Sequence, residues 1–212
     1  EQRLGKALAD FLSDYNVHKG SSAPPLRIVF FEDAINHILR ILRVCQHRRG
    51  HMLLLGSAGS GRRSLCALAA FVLEAEKREF ERVSDRSETS SFLTDVMRAC
   101  GLKGQTCLLM ASEEDLADAE ILEYVSALVK VGHLPTLWSF EERDAMLNDS
   151  TRDAGQQASQ ENPHVLWQRM LSRIGDNLHA LLRMSPLGSQ FREACRMYPA
   201  LLSGCTIDSV AE

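Results

Sequence analysis

The sequence predicts an α/β fold in which a mostly parallel five-stranded sheet is flanked by helices. Five short runs have the length of strands, and most of them are apolar enough to be buried. Helical patterns lie between these runs, and one run leads through a glycine-rich loop into a helix. Strands that alternate with helices favour parallel pairing, because each helix returns the chain across a face of the sheet.

The composition is that of an ordinary folded domain. The chain has 212 residues, of which 45% are hydrophobic and 25% charged, with a net charge of −4. This length predicts one large domain, or one with a small appendage. The charge gives no basic footprint for nucleic acid, no apolar run has the length of a membrane span, and no signal-peptide pattern opens the chain. We therefore expect no nucleic-acid partner and no membrane partner.

The chain ends and the cysteines suggest a piece of an intracellular protein. The chain begins at Glu1 without a Met and ends at Glu212 after a strand-like segment, which predicts a fragment of a longer polypeptide. The six cysteines are scattered, mostly within apolar segments, without the spacing of a zinc site or a disulfide framework. We expect reduced thiols, mostly in the core.

The stretch from His51 to Ala70 has the arrangement of a phosphate-binding loop. Met52–Leu55 is a predicted strand, Gly56–Gly61 contains three glycines, and Ser64–Ala70 is a predicted helix. In such a loop, backbone N–H groups converge on phosphate oxygens, and the helix N-terminus adds positive partial charge. Strand, glycine loop and helix in this order predict a site for a phosphate group.

Two positions depart from the full motif, G-x-x-x-x-G-K-[ST]. Arg62 stands at the lysine position and Arg63 at the serine or threonine position. Arg62 keeps a cation near the β- and γ-phosphates, whereas Arg63 has no hydroxyl for magnesium. Ser64 is the substitute metal ligand, but it lies about 100° further round the helix. Phosphate binding is therefore predicted and fast hydrolysis is not; the alternative is a glycine turn without a ligand.

The acidic residue that usually follows the third strand of an ATPase is missing. Thr106–Ala111 is the third predicted strand, and Ala111 stands where an aspartate would hold magnesium. Glu113, Glu114 and Asp115 come slightly later, and Glu113 is the candidate that could reach a metal through water. The interpretation that we favour is that these carboxylates cap the next helix.

Periodicity assigns the rest of the chain. A polar stretch, Thr151–Pro163, predicts a mobile loop. Gly132 and Pro135 are expected to end the predicted helix Glu113–Lys130. The predicted helices are Leu4–Tyr15, Glu32–Cys45, Ser91–Cys100, Glu113–Lys130, Leu166–Ile174 and Gln190–Tyr198, and the other predicted strands are Glu79–Val83, Leu178–Met184 and Cys205–Asp208.

Several segments together carry a resemblance to a known family. They are Val29–Ile38 with Arg40–Arg43, Gly50–Leu65, Leu102–Gln105, Ile121–Glu123 through Gly132–Pro135, Asn177–His179, Met184–Gly188, Phe191–Arg192 and Tyr198–Leu201 leading into Cys205–Asp208. In combination they resemble the fourth AAA+ module of a dynein heavy chain, and the arginine in the glycine loop is similar to the axonemal branch. The resemblance implies a P-loop NTPase fold: an AAA+ large subdomain at residues 26–212, preceded by a helix and connector at 1–25, with the helical lid and the stalk absent.

The resemblance also implies roles for individual residues. Segment Leu26–Phe31 lies over the adenine, and Ser185 occupies the position of the γ-phosphate sensor. Arg192 and Arg196 lie on the helix that faces the neighbouring module, where an arginine finger acts in trans; the alternative for both is a solvated basic face. The cofactor-binding residues implied for ATP or ADP are Val29, Phe30, Gly56, Ser57, Ala58, Gly59, Ser60, Gly61, Arg62, Arg63, Ser64, Leu65 and Ser185.

The function that the resemblance implies is regulatory or structural nucleotide binding within an ATP-driven microtubule motor ring. Mg²⁺ is compatible with it, with Ser64 as the metal candidate, but the ligands are degenerate and weak or no hydrolysis is expected. The alternatives are a nucleotide-free scaffold that transmits conformational change to the stalk and, less favoured, an independent P-loop ATPase. The implied partners are neighbouring AAA+ modules, dynein intermediate and light chains, and microtubules through the missing stalk. The implied location is cytoplasmic, on the cytoskeleton of the cilium or flagellum axoneme.

Overall fold

A computed structural model describes residues 2–19, 24–80, 86–154 and 162–210, without the side chains of residues 2, 86, 135 and 149–154. The strands are β1 His51–Leu55, β2 Glu76–Glu79, β3 Cys107–Ala111, β4 Leu178–Met184 and β5 Cys205–Ser209. The helices are α1 Gln2–Lys19, α2 Glu32–Cys45, α3 Arg62–Val72, α4 Arg86–Gly101, α5 Ala119–Val131, α6 Phe140–Ala154, α7 Pro163–Asn177, α8 Gln190–Met197 and α9 Ala200–Ser203.

The strands form one parallel sheet in the order β2-β3-β4-β1-β5. Met52 is paired with Leu181 of β4 and with Thr206 of β5, and the other strand pairs are also parallel. The prediction of a five-stranded, mostly parallel sheet is confirmed. Because parallel strands all end at the same edge, the loop that leaves β1 emerges between the ends of β4 and β5.

Both faces of the sheet are covered, which explains the continuous apolar runs of its inner strands. Leu54 and Leu108 pack with α1, α2 and α3 on one face. Leu53 and Leu109 pack with α4, α5 and α7 on the other. The inner strands are therefore buried on both faces. This burial fixes the positions of their carboxyl ends, where the glycine loop begins.

Strong periodicity gave the most accurate predictions. Helix α2 and strand β4 have the bounds that the sequence predicts. Four of the six apolar positions predicted along one side of α2, Ala34, Ile35, Ile38 and Ile41, are buried, and Leu39 and Leu42 are partly buried. The four cysteines in the most apolar surroundings, Cys45, Cys66, Cys100 and Cys107, are buried and unpaired, as expected. Among the described helices, none is long and apolar enough to cross a bilayer.

The predicted second strand, Glu79–Val83, is wrong in position. Strand β2 is Glu76–Glu79, and residues 81–85 lie outside the described part of the chain. Because β2 is the edge strand, it pairs only with β3 and its residues are half-buried. Its charges are neutralised locally, as where Arg78 contacts Glu76 at 2.6 Å. The strand therefore lacks the apolar pattern on which the prediction relied.

The predicted helix Glu113–Lys130 begins later than expected. A short 3-10 helix, Asp115–Ala117, comes first, and α5 begins at Ala119. Asp118 caps α5, since its Oδ1 accepts from the N–H of Glu120 at 2.8 Å. The Asp115 carboxylate instead accepts from the N–H of Ser112 at 2.7 Å. The prediction that Glu113, Glu114 and Asp115 cap this helix is therefore wrong, because Asp118 caps it.

The predicted mobile loop Thr151–Pro163 is wrong at both ends. Its first residues belong to α6, its last residue opens α7, and residues 155–161 lie outside the described part. Helix α6 was missed because its sequence is polar. Its start carries a capping box, in which Ser139 N–H donates to Glu142 at 2.7 Å and Glu142 N–H donates to Ser139 at 3.2 Å.

Candidate functional site

A cavity of about 720 Å³ opens at the carboxyl edge of the sheet, beside the glycine loop. This volume lies within the usual range for small-molecule sites, about 300–1,000 Å³. Four parts of the chain converge on it: the segment before α2, one side of α2, the loop with the start of α3, and the end of β5. The lining residues are Arg27, Ile28, Val29, Phe31, Asp33, Ala34, His37, Arg40, Ser57, Ala58, Gly59, Ser60, Gly61, Ser64, Leu65, Ser209 and Val210.

The glycine loop has the backbone shape that its sequence requires. Gly59 and Gly61 have φ of 89° and 76°, in the left-handed region that other residues avoid. Gly56 is needed for a different reason, because a Cβ there would lie 2.7 Å from the carbonyl oxygen of Val210. The N–H of Gly56 donates to the carbonyl of Met184 at 3.2 Å. The loop is therefore seated against the ends of β4 and β5.

The loop presents hydrogen-bond donors to the cavity. In the described part of the chain, the N–H groups of Ala58, Gly59 and Gly61 donate to no backbone carbonyl. The Ser60 hydroxyl is buried and has no hydrogen-bond partner among the described residues. Helix α3 begins directly after the loop, so its free N-terminal N–H groups face the same way. Free N–H groups in a glycine loop and at a helix N-terminus are a donor set that fits phosphate oxygens.

Arg62 lies behind the loop and is not among the residues that line the cavity. Its guanidinium donates to the carbonyl of Ser57 at 2.8 Å and to that of Met184 at 2.5 Å. A longer hydrogen bond of 3.3 Å reaches the carbonyl of Leu54 in β1. Burial, followed by the charge of Arg183, lowers the pKa of Arg62.

Arg63 points away from the cavity, toward β2. Its Nη2 donates to Glu79 at 2.8 Å and its Nε donates at 3.2 Å, which makes a two-pronged ion pair. Lys77 contacts the same carboxylate at 3.1 Å. The hydrogen bond to Glu79 is the main cause that raises the pKa of Arg63. The residue at the metal-ligand position of the motif is thus engaged in an ion pair at the sheet edge.

Glu113 and Ser185 interact with each other, and neither lines the cavity. The N–H of Ser185 donates to the Glu113 carboxylate at 3.0 Å. The carbonyl of Glu113 accepts from the Gln190 side chain at 2.6 Å. The predicted metal-reaching carboxylate is therefore held at the turn after β4.

The other predicted site residues are divided between the cavity and the rest of the surface. Val29, Ser64 and Leu65 line the cavity, whereas Phe30 packs against the core. Arg192 and Arg196 are exposed on α8 and do not line the cavity. No group of three or more His, Cys, Asp or Glu residues in the described part could hold a metal ion.

Sequence reasoning missed the polar side of α2 and its partner in β5. Asp208 is buried, with its carboxylate 2.6 Å from Nδ1 of His37, and its other oxygen accepts from Arg40. Asp33, His37 and Arg40 follow each other at intervals of four and three residues, so they share one side of the helix and line the cavity. That spacing is visible in the sequence, but the buried partner Asp208 belongs to a distant strand and has no signal near α2.

The parallel sheet, its strand order and the glycine loop at its carboxyl edge define a P-loop NTPase fold. The chain belongs to the family described as "P-loop containing dynein motor region D4", which matches residues 26–212. The resemblance to the fourth AAA+ module of a dynein heavy chain is thereby confirmed.

Curated relatives are consistent with this assignment. The chain is 34% identical over 211 residues to the dynein-1-beta heavy chain of the flagellar inner arm I1 complex of Chlamydomonas reinhardtii, covering 99% of this chain and 5% of that protein. It is 32% identical to the mouse axonemal dynein heavy chain 2, covering 99% and 5%. It is 30% identical to the human axonemal dynein heavy chain 6, covering 98% and 5%. The chain thus spans about one twentieth of the length of these relatives.

Proposed function

We propose that this chain is a nucleotide-binding module of a dynein heavy chain, and that it holds ATP or ADP with a regulatory or structural effect. The observation that supports this most is the loop itself. Residues Ser57 to Gly61 line a cavity large enough for a nucleotide, and the N–H groups of Ala58, Gly59 and Gly61 donate to no backbone carbonyl in the described part of the chain. A loop that served only as a turn would not need free N–H groups beside a cavity of this size.

The remainder of the cavity suits the base and ribose. Val29 and Phe31 are 79% and 57% exposed, an unusual state for large apolar side chains that line a cavity. Such side chains gain contact when a flat aromatic base covers them. The polar side of α2 offers donors and acceptors nearby. We therefore place the phosphates on Ser57–Gly61 and the base near Val29.

The arrangement provides little for hydrolysis. In the proposed site Ser64 is the hydroxyl that would hold Mg²⁺, whose chemistry is to neutralise phosphate charge in the transition state. Arg63 is engaged with Glu79, and Glu113 accepts from Ser185. No carboxylate from the end of β3 is among the residues lining the cavity. These contacts support the proposal that hydrolysis is weak or absent.

A second candidate function is a nucleotide-free scaffold that transmits conformational change through the motor. The contacts of Arg62 favour it, because they give the loop a fixed shape without any ligand. An independent, active P-loop ATPase has less support, since Arg63 at the metal-ligand position of the motif is paired with Glu79, and Ala111 stands where an aspartate would hold the metal.

The family assignment extends the proposal to a cellular setting. Relatives named as axonemal and flagellar heavy chains support a place on the cytoskeleton of a cilium or flagellum. The partners we propose are the neighbouring AAA+ modules of the same heavy chain, which the exposed Arg192 and Arg196 could meet, and the dynein intermediate and light chains. Microtubules would be reached only through a stalk outside this chain.

Calorimetric titration with ADP and ATP, with and without Mg²⁺, tests the proposal. We expect saturable binding of both nucleotides, strengthened by Mg²⁺. Ser64→Ala should remove that strengthening, about tenfold in affinity, because a charge-assisted contact is worth roughly 1.5–3 kcal/mol. The control is Ser13→Ala, which changes an exposed serine on α1. Absence of binding at millimolar nucleotide would favour the scaffold instead.

A further inference from the structure

The Arg62 side chain connects three parts of the backbone that are separate in sequence. Its Nη1 donates to the carbonyl of Met184 at 2.5 Å, at the end of β4, and to that of Leu54 at 3.3 Å, in β1. Its Nη2 donates to the carbonyl of Ser57 at 2.8 Å, in the loop. The guanidinium therefore ties the loop to β1, which the loop leaves, and to the adjacent strand β4.

These contacts occupy the Arg62 guanidinium with backbone carbonyl groups. Arg62 does not line the cavity, whereas the loop from Ser57 to Gly61 does. Met184 accepts twice, because the N–H of Gly56 also donates to its carbonyl at 3.2 Å. The first residue of the loop and the residue directly after the loop are thus fixed to the same backbone oxygen.

We propose that Arg62 is a positioning residue, which braces the phosphate loop against β1 and β4 through the Leu54, Ser57 and Met184 carbonyls instead of contacting the phosphates. The expected effect of Arg62 on nucleotide affinity rests on the proposed function, whereas its contacts with the three carbonyls do not. The phosphates would then be met by the N–H groups of the loop, in a shape that exists before the ligand arrives.

Arginine suits this role better than the lysine of the usual motif. Its planar guanidinium carries several donors in a fixed fork, so that one group reaches oxygens in different directions. The ammonium of a lysine is a single point on a shorter reach. The brace also ends next to Ser185, whose N–H donates to Glu113 at 3.0 Å. Loop, β4 end and β3 end are therefore joined through one chain of contacts.

Amide hydrogen exchange of the ligand-free chain tests the brace directly. Arg62→Met keeps an apolar stem but removes the guanidinium. We expect exchange of the two hydrogen-bonded loop amides, those of Gly56 and Ser60, to become about tenfold faster, because the guanidinium no longer holds the carbonyls of Met184 and Ser57 that accept from them. The matched control, Arg63→Met, removes the neighbouring guanidinium that pairs with Glu79, and should leave the loop unchanged. Arg62→Lys is the second variant, in case the methionine variant does not fold.

Binding of ADP and of adenosine to the same variants separates positioning from general damage. We expect ADP affinity to fall about tenfold in Arg62→Met while adenosine affinity changes less than about twofold, since only the phosphates use the loop. Arg62→Lys should also show faster loop exchange and weaker ADP binding. Unchanged loop exchange in both variants, or ADP binding by Arg62→Lys as tight as that of the unchanged chain, would overturn the brace. If the unchanged chain binds no ADP, the proposed function fails, and the exchange data still decide the role of Arg62.

Discussion

Gly50→Ala is expected to lower the free energy of unfolding by about 3 kcal/mol, because the new methyl group has no room. A Cβ at this position would lie 1.9 Å from the carbonyl oxygen of Val44 and 2.9 Å from that of His47. Both neighbours are backbone atoms at the end of α2 and in the following turn, so no side-chain rotation can relieve the contact. Gly50 directly precedes β1, and its carbonyl accepts from His179 at 2.9 Å.

Chemical denaturation measures this effect, and Gly5→Ala is the matched control. At Gly5, inside α1, a Cβ would meet only Cδ1 of Ile35, at an ordinary 3.4 Å. Alanine stabilises a helix interior by roughly 0.5–1 kcal/mol relative to glycine, so the control should be neutral or more stable. A Gly50→Ala chain as stable as the unchanged one would contradict the described path from α2 into β1.

Acid is expected to destabilise the chain through His51, at the start of β1. His51 is buried, and its Nδ1 accepts from the N–H of Ala180 at 3.0 Å, which requires the neutral ring. Burial, followed by the charges of His179 and Arg49, lowers the pKa of His51 from 6.5 to about 4. Below pH 6.5 the unfolded chain therefore binds a proton that the folded chain does not. Stability from this residue is complete above that pH and is lost as the pH falls, by about 3 kcal/mol at pH 4.

The free energy of unfolding, measured from about pH 7 to about pH 4.5, tests this dependence. We expect a shallower loss of stability in His51→Asn, whose side-chain oxygen can still accept from Ala180. Burial also lowers the pKa values of His133 and His179. The free energy of unfolding of His51→Asn should therefore still fall with pH, although less steeply than that of the unchanged chain. The control is His47→Asn, at an exposed imidazole in the turn before β1, and it should follow the unchanged chain. Equal slopes in all three proteins would exclude a neutral His51 in the folded chain.

The fold was predicted accurately where the sequence of an element determines its structure by itself, and less accurately where pairing with other elements decides it. Helix α2 and strand β4 were predicted to the residue because one buried face or two determine each pattern. Strand β2 was misplaced because its sequence, Glu76–Glu79, carries no apolar signal, and only pairing with β3 makes it a strand. Helix α6 was missed because its start depends on the Ser139–Glu142 capping box more than on an apolar side.

The site shows the same limit. The glycine loop is contiguous, so its residues could be predicted from spacing alone, and Ser57–Gly61 do line the cavity. The contact of His37 with Asp208 joins residues 171 positions apart, and it exists only because β5 lies beside β1 under α2. The direction of the Arg62 side chain depends on carbonyl groups of another strand. Residue spacing alone could not show whether Arg62 braces the loop or contacts a phosphate group.

Titration of the chain with ADP, followed by amide NMR, tests the central claim most directly. The claim is that the cavity beside the glycine loop is a nucleotide site. We expect the amides of Gly59, Ser60 and Gly61 to shift together with those of Val29 and Phe31, at one common dissociation constant, while the amides of α8 remain unchanged. Saturable shifts confined to other parts of the chain, or no shifts at millimolar ADP, would contradict it.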